Sequence, residues 1–445
     1  MTPVTLISVV LVATLSTQAF AEGPSEWCQY RMHPSHNAVF DDGGKPLPSA
    51  FYQTSDQVRA NPVIVGDRLF VGNHLTGGMF AFDAKTTKLL WNDDRPWFRH
   101  APNWIHSDMI FVNDRIYVGY GNRVFQSETV RGTGESGVMA VDPKTGKTLW
   151  NHHTVGEVMP TPAYWHGTLY IATGGAQIIA LDPANGAVRW QLALPGWVSM
   201  SSPSVQDGML YVGAKNSVVG VDLQERKIRW VYHADLSFTD VPPAVAPDGT
   251  VVITGVQSFS ASTAEDRERY PHARGYFQFI YAFDGKTGKL RWKHLLGAGA
   301  IQNNNTSGTP TITDGRVFVG SPYTNSLFAY DVSNGKRAWE YPVGAKIKGA
   351  PAVKNGVVYF GDTNGFLHAV DAGSGETILR ADGKELGKLK LGGSKSAAKN
   401  VALAPSGPVI INQDIYVGSQ DGFVYRVSIP AWRGIGSGSG AANAN

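Results

Sequence analysis

The chain has 445 residues, with 39 Lys and Arg against 36 Asp and Glu, a formal net charge of +3 at pH 7 and a single cysteine. That charge is too small and too evenly spread to argue for a nucleic-acid partner. One cysteine excludes an internal disulfide and a Cys-x-x-Cys-His haem attachment site, and beyond the N-terminus no segment is apolar enough to predict a transmembrane span.

In chain order, residues 1–21 contain no Lys, Arg, Asp or Glu. Leu6 to Leu15 form an apolar run, and Ala19-Phe20-Ala21 precedes Glu22 as an A-x-A cleavage site would. This predicts a cleavable signal peptide and a periplasmic protein. Cys28 is not at the cleavage point, so no lipid anchor is expected. From residue 22 to about 430 one pattern dominates: a small or apolar pair, an Asp, a turn, and a Trp eight positions after the Asp. It runs from Asp83 to Trp91, Asp142 to Trp150, Asp182 to Trp190, Asp222 to Trp230, Asp284 to Trp292 and Asp331 to Trp339, and a copy at Asp371 has Leu379 in the Trp position. The shortest spacing between successive copies is 40 residues, a period typical of propellers and solenoids.

Each unit reads as four strands. In residues 203–230, short Val-, Ile- and Tyr-rich runs are separated by turn residues. The last turn takes the form Asp-x-x-Thr-Gly-Lys at Asp142–Lys147 and Asp284–Lys289, where the carboxylate can accept backbone N–H groups and Gly can take positive φ. The Trp is suited to a dock between neighbouring sheets. Four-stranded units repeated radially predict an all-β fold, a β-propeller. Seven units carry the Asp. Pro408–Gly418 and Gly422–Val427 supply three strands of an eighth, so an eight-bladed propeller is expected, closed by an N-terminal strand near Trp27–Arg31. The tail, 431–445, is Gly-, Ser-, Ala- and Asn-rich and reads as disordered.

The extra length lies in insertions at Tyr120–Ser136 and Gln257–Tyr276 and in long loops at Asn92–Ser107, Lys293–Thr309 and Arg380–Gly407. These would crowd one mouth of the central channel, and function tends to lie on loops held by a rigid scaffold. Residues just before each first strand should face the axis: Arg59, Asn61, His106, Asp108, Glu157, Met159, Asp240, Asn303–Asn305, Lys346 and Lys348. Arg99, His100 and Trp104 share one long loop. Carboxylates and amide oxygens suit calcium, Lys and Arg suit a polyanionic ligand, and aromatic rings suit a planar one. The competing readings are plain: Glu135 and Glu157 as solvated loop charges, Asp240 as a turn cap before Val241-Pro242-Pro243, the histidines as packing residues. Gly132-Thr133-Gly134-Glu135-Ser136-Gly137 matches G-x-G-x-x-G, but no βαβ unit surrounds it, so no dinucleotide site is expected.

The copies ending at Trp150 and Trp292, together with the opening Trp27–Arg31 and His33–Asn37, resemble the pyrroloquinoline quinone (PQQ) repeat superfamily. That family includes quinoprotein alcohol dehydrogenases, which hold PQQ and a calcium or lanthanide ion over the channel, and a scaffold lipoprotein of outer-membrane barrel assembly, which has no cofactor. The first resemblance implies an oxidoreductase acting on an alcohol or aldehyde. Glu135, in Glu135-Ser136-Gly137-Val138, and Asn303 would hold the metal. Arg99, Trp104, His106, Lys346 and Lys348 would hold PQQ, and Asp240 would serve as the base. The partners would be a small-molecule substrate and a separate periplasmic electron carrier. The sequence departs from that pattern at Thr254–Ser258, where a metal-binding Asn is missing, in the loop with Asn303–Asn305, which has no Asp where the family's catalytic Asp stands and leaves Asp240 as the candidate carboxylate, and in lacking paired cysteines. The second resemblance implies a non-catalytic ligand-binding or assembly scaffold. Both readings stay open at this level.

Overall fold

A computed structural model describes residues 24–74, 76–93, 104–133, 135–258, 264–269, 271, 275–299, 308–392 and 401–435. The expected signal peptide, Arg99 and Asn303 lie outside the described residues, as does most of the expected tail. The fold is all-β, with only two short helices among the described residues, Ala264–Arg269 and Ile429–Arg433. No described helix is long and apolar enough to cross a membrane.

The predicted repeat units appear as successive antiparallel sheets. The first runs Val63–Val65, Arg68–Gly72, Met79–Asp83, Leu89–Asp93, each strand paired with the next. The pattern recurs through Ile110–His153, Ala163–Ala193, Thr311–Pro342 and Ala352–Lys390. Between them, the sheets of Ser204–Ser237 and Ala244–Gly299 are joined by a single pairing, Ser237 with Val256. Burial grades across each sheet. The first and middle strands are near-continuous apolar runs such as Gly137–Val141, buried on both faces, whereas the outer strand alternates, as in Val188–Ala193. A strand covered on both sides loses the in–out alternation of a half-exposed one.

The Asp-to-Trp spacing has a geometric cause. Asp142 Oδ1 accepts the N–H groups of Lys144 and Thr145, both at 2.8 Å, and the same turn forms at Asp83, Asp331 and Asp371. A register shift just before the Asp recurs in six sheets. The Trp then reaches into the next sheet's turn. Trp91 Nε1 donates to Pro143 O (2.9 Å), Trp150 to Pro183 O (3.0 Å), Trp230 to Gly285 O (2.7 Å), Trp292 to Val332 O (2.8 Å) and Trp339 to Ala372 O (3.0 Å). Each acceptor is the residue directly after the repeat Asp. The indole also lies on the turn glycine: a Cβ added at Gly146, Gly288, Gly335 or Gly375 would stand 2.6 Å from the Trp of the preceding sheet.

One expectation is corrected. The strand completing the last sheet is Ala50–Gln53, antiparallel to Phe423–Ser428, and not the segment at Trp27–Arg31. Trp27 instead bridges to Phe111, and Arg31 is fully buried at the centre. Arg31 has its guanidinium hydrogen-bonded to Pro351 O (3.0 Å) and Pro408 O (2.7 Å), which takes its segment out of strand pairing. In the final sheet Tyr52 takes the place of the Trp: its hydroxyl donates to Ala84 O at 2.6 Å, the residue after Asp83. At the chain's far end, Trp432 of the short helix is buried against Tyr359.

Gly335→Ala tests the Trp–turn contact against Gly315→Ala. Both glycines have φ of +71°, but nothing lies within 4 Å of a Cβ at Gly315. Gly315→Ala should cost only the left-handed backbone penalty of roughly 1–2 kcal/mol. Gly335→Ala should add roughly 1–3 kcal/mol of overpacking and show a clearly lower urea midpoint.

Candidate functional site at the channel mouth

Nearly every first strand is preceded by an X-Pro step: Asn61-Pro62, Thr161-Pro162, Ser202-Pro203, Pro242-Pro243, Thr309-Pro310, Ala350-Pro351 and Gly407-Pro408, with Asp108-Met109 as the exception. Proline fixes φ and holds the residue before it extended. In an extended lead, positions two apart face the same way. The leads of all these sheets converge on one open-topped cavity.

The residues just before the prolines form the cavity's inner tier and are tied in a belt. Asn61 donates from its backbone N and from Nδ2 to the two Asp108 carboxylate oxygens, both at 2.8 Å. Asp108 N donates to Thr161 Oγ1 (2.9 Å), Thr161 N to Ser202 Oγ (2.8 Å), and Gly407 N to Asn61 Oδ1 (2.7 Å). Tyr30 lies at the floor, beside Arg31. Burial lifts the Asp108 carboxyl to about 6, against the pull of its Asn61 hydrogen bonds and the Arg31 charge. Burial and the Asp108 charge lift the Tyr30 hydroxyl to about 12.

The outer tier, two residues further back, carries Arg59, His106, Met159, Met200, Asp240, Lys348 and Pro405. Its charges are segregated. Arg59 and Lys348 come from the first sheet and from the one before last. Burial, then the charges of Lys346 and Arg59, lowers the Lys348 ammonium to about 8. Asp240 comes from the lead of the Ala244–Gly299 sheet, with Glu157 close enough to feel its charge.

Glu157 overturns its reading as a solvated loop charge: its side chain is 0% exposed. The inserted segment Tyr120–Ser136 folds into a hairpin of Phe125–Ser127 and Val130–Arg131, and Arg131 Nε stands 3.2 Å from Glu157 Oε1. Arg131 also donates to Ser199 Oγ. The Glu157 backbone is clamped by Glu157 N to Arg131 O and Gly174 N to Glu157 O, each 2.8 Å. A Cβ at Gly121 would lie 2.6 Å from Glu157 Cβ, and one at Gly132 would lie 2.7 Å from it. The first glycine of the G-x-G-x-x-G match is therefore a seat for this carboxylate. Burial raises the Glu157 carboxyl to about 8; Asp240 raises it further and Arg131 opposes.

Of the residues expected to act, Asp240, His106 and Lys348 line the cavity, and Lys346 is an electrostatic neighbour of Lys348. Trp104 lies beside, its ring 4.6 Å from that of His74 and 5.8 Å from that of His106. Of the two donors expected for a quinone-bound metal, Asn303 lies outside the described residues. Glu135 is exposed in a turn, and among the described residues no three His, Cys, Asp or Glu side chains lie together as a metal site. Thr161, Met200, Ser202, Thr309 and the Arg131–Glu157 pair were not expected as a group; the X-Pro leads are the sequence signal that finds the first four.

Both raised carboxyls bind a proton more tightly in the folded chain than in the unfolded one, so their stabilisation is full at low pH and is lost as pH rises. For Glu157 that window runs from 4.5 to about 8. The repeat Asp residues are shifted below 3.8 and act only in a lower window. The buried His36, His74 and His106 work the opposite way below pH 6.5, so the Glu157 contribution is read as a difference: the Tm of wild type relative to that of Glu157→Gln should fall between pH 5 and pH 8 (roughly the interval between those values).

A family model described as outer membrane protein assembly factor BamB matches residues 134–378 and 276–425. The tetrathionate hydrolase of Acidithiobacillus ferrooxidans is 27% identical over 456 aligned positions, covering 89% of this chain and 84% of that protein. The assembly factor BamB of Burkholderia pseudomallei is 25% identical over 82% of this chain and 83% of its own length. Among solved structures, the quinohemoprotein alcohol dehydrogenase of Comamonas testosteroni superposes with a TM-score of 0.62 at 14% identity, over 91% of this chain and 80% of that one. BamB from Moraxella catarrhalis gives 0.57 at 14% identity, over 86% and 100%. At such identities the structural likeness speaks for the β-propeller fold alone. With its repeats, its sheets and the matched model taken together, the chain belongs to the PQQ-repeat family described as outer membrane protein assembly factor BamB.

Proposed function

We propose that this protein is a hydrolase of the cell envelope that cleaves a sulfur–sulfur bond in a polythionate dianion at the mouth of an eight-bladed, closed propeller. The observation that carries this reading is the charge-segregated cavity. Burying cations and carboxylates without full pairing costs stability, and an assembly scaffold has no need of such a cavity. Tetrathionate has a sulfonate at each end of a short sulfur chain. Arg59 and Lys348 supply the positive field for a sulfonate. Met159 and Met200 offer polarisable thioethers beside the sulfur chain. Asp240 takes a proton from water as its oxygen bonds to one sulfur, and the departing sulfur keeps the electron pair of the broken bond. The likeness to tetrathionate hydrolase across most of both chains supports the substrate class. The Tyr52–Ala84 hydrogen bond and the pairing of Ala50–Gln53 with Phe423–Ser428 support ring closure. The expected leader at 1–21 and the envelope role in the BamB name support the location.

The quinoprotein reading of the same mouth makes the opposite demand. It needs Glu135 and Asn303 to meet at a metal, and the exposed position of Glu135 does not favour it. Purified protein incubated with tetrathionate, with thiosulfate followed by ion chromatography, separates the readings. The account expects turnover, a loss of roughly 10²–10⁴ in kcat for Asp240→Asn, and about a tenfold higher KM for Lys348→Met. No turnover and no thermal stabilisation by tetrathionate overturns the proposal. Dye reduction with alcohols after adding PQQ and Ca²⁺ would then favour the dehydrogenase, and inertness in both assays the scaffold.

A further inference from the structure

Beside the cavity lies a second cluster that the hydrolase reading does not use. His74 and His106 meet edge to face with ring centroids 4.2 Å apart, and Trp104 covers His74 at 4.6 Å. The Arg123 guanidinium lies 5.2 Å from the Trp104 ring. His74 is 4% exposed. Among the described residues, four buried nitrogens of this group make no hydrogen bond: His74 Nδ1, His106 Nδ1, Trp104 Nε1 and Arg59 Nε. Arg59 and His106 line the cavity, so the cluster borders it.

The local charge is positive, with Arg59 and Arg123 both present. Arg59 feels Arg123 nearby, with Asp56 as its acidic neighbour. Burial, then the Arg59 and Arg123 charges, drives the His74 imidazole down to about 3. Burial, then His74, Arg59 and Arg131, lowers His106 as well. An unpaired buried donor forfeits its hydrogen bond to water, a penalty that a bound acceptor removes. The indole N–H is a donor only, and the two guanidiniums are donors only. A tetrahedral oxyanion supplies several acceptor oxygens and negative charge at once, which suits guanidinium groups in particular.

We infer that Arg59, His74, Trp104, His106 and Arg123 form an oxyanion subsite next to the catalytic cavity, taking a sulfate- or sulfonate-type group. The inference rests on the proposed hydrolase activity only for the identity of that group: one sulfonate of the dianion sits at Lys348 and the other at this cluster, with Arg59 between them. The cluster is thus a substrate-length gauge as well as an anchor. A substrate with a single sulfonate would leave one end unheld.

The probe is inorganic sulfate, titrated into the full chain by calorimetry at constant ionic strength against chloride. Wild type should bind sulfate saturably. Arg123→Gln, at an exposed position, and Trp104→Phe, which keeps a ring but removes the N–H, should each weaken binding by about tenfold. The same variants should raise KM for tetrathionate while kcat stays within about twofold. Arg123→Gln keeps the test decisive if Trp104→Phe fails to fold. Absence of saturable sulfate binding, or wild-type affinity in a folded Arg123→Gln, overturns the inference. Sulfate binding lost in the variants without any tetrathionate turnover keeps the subsite and removes the hydrolase reading. Tetrathionate turnover with unchanged KM in both variants does the reverse.

Discussion

The fold depends on one contact repeated around the molecule: the indole of each outer-strand Trp seated on the turn of the following sheet. Its N–H binds the carbonyl after the repeat Asp, and its ring covers the turn glycine. The contact joins three otherwise separate features. The Asp shapes the turn by accepting two backbone N–H groups, the glycine takes a positive φ and leaves room for the ring, and the eight-residue spacing returns the chain to the right height. Departures obey the same logic. In the sheet after Trp190 the glycine position is Arg226, at φ 54°, and no Trp190 indole hydrogen bond accompanies it. Before the first sheet, Tyr52 donates a hydroxyl to Ala84 O where an indole would otherwise stand.

With the outer strands locked, the inner leads have little freedom, and the X-Pro steps remove more of it. The belt from Arg31 and Asn61 through Asp108, Thr161 and Ser202 then fixes the inner tier. Above it, the outer tier carries Arg59, Lys348 and Asp240, while the hairpin at Phe125–Arg131 holds Arg131 against a buried carboxylate. The fold can tolerate such groups because the sheets, not the mouth, provide the stability. That division lets relatives of one architecture bear names as different as assembly factor, dehydrogenase and hydrolase.

Much of the fold was legible because its key contact is written at fixed spacing. Asp, turn, Gly and Trp recur in register, so the units and their four strands follow from the chain alone. The strand completing the last sheet was not legible. Closure calls for a strand from the N-terminal part of the chain, but Tyr52 provides the contact through an O–H donor and breaks the motif that would locate it. The cavity was legible in part: Asp240, His106 and Lys348 precede first strands and line it. Glu157 looked like any loop carboxylate, since its burial depends on a hairpin and on Gly121, Gly132 and Gly174 closing round it. Its neighbour in sequence type, Glu135, stays exposed in the turn of that same insertion. His74 belongs to a turn between two strands, and only the convergence of two sheets brings it to His106.

Arg59, Lys348, Asp240, Met159 and Met200 line one cavity at the mouth, and the proposed polythionate cleavage rests on that grouping. The most direct measurement of this account is a crystal structure of the Asp240→Asn variant grown with saturating tetrathionate. The account predicts an intact dianion in the cavity, with sulfonate oxygens within hydrogen-bonding distance of Lys348 Nζ and the Arg59 guanidinium. A mouth empty of tetrathionate, or the dianion bound away from these leads, would contradict it.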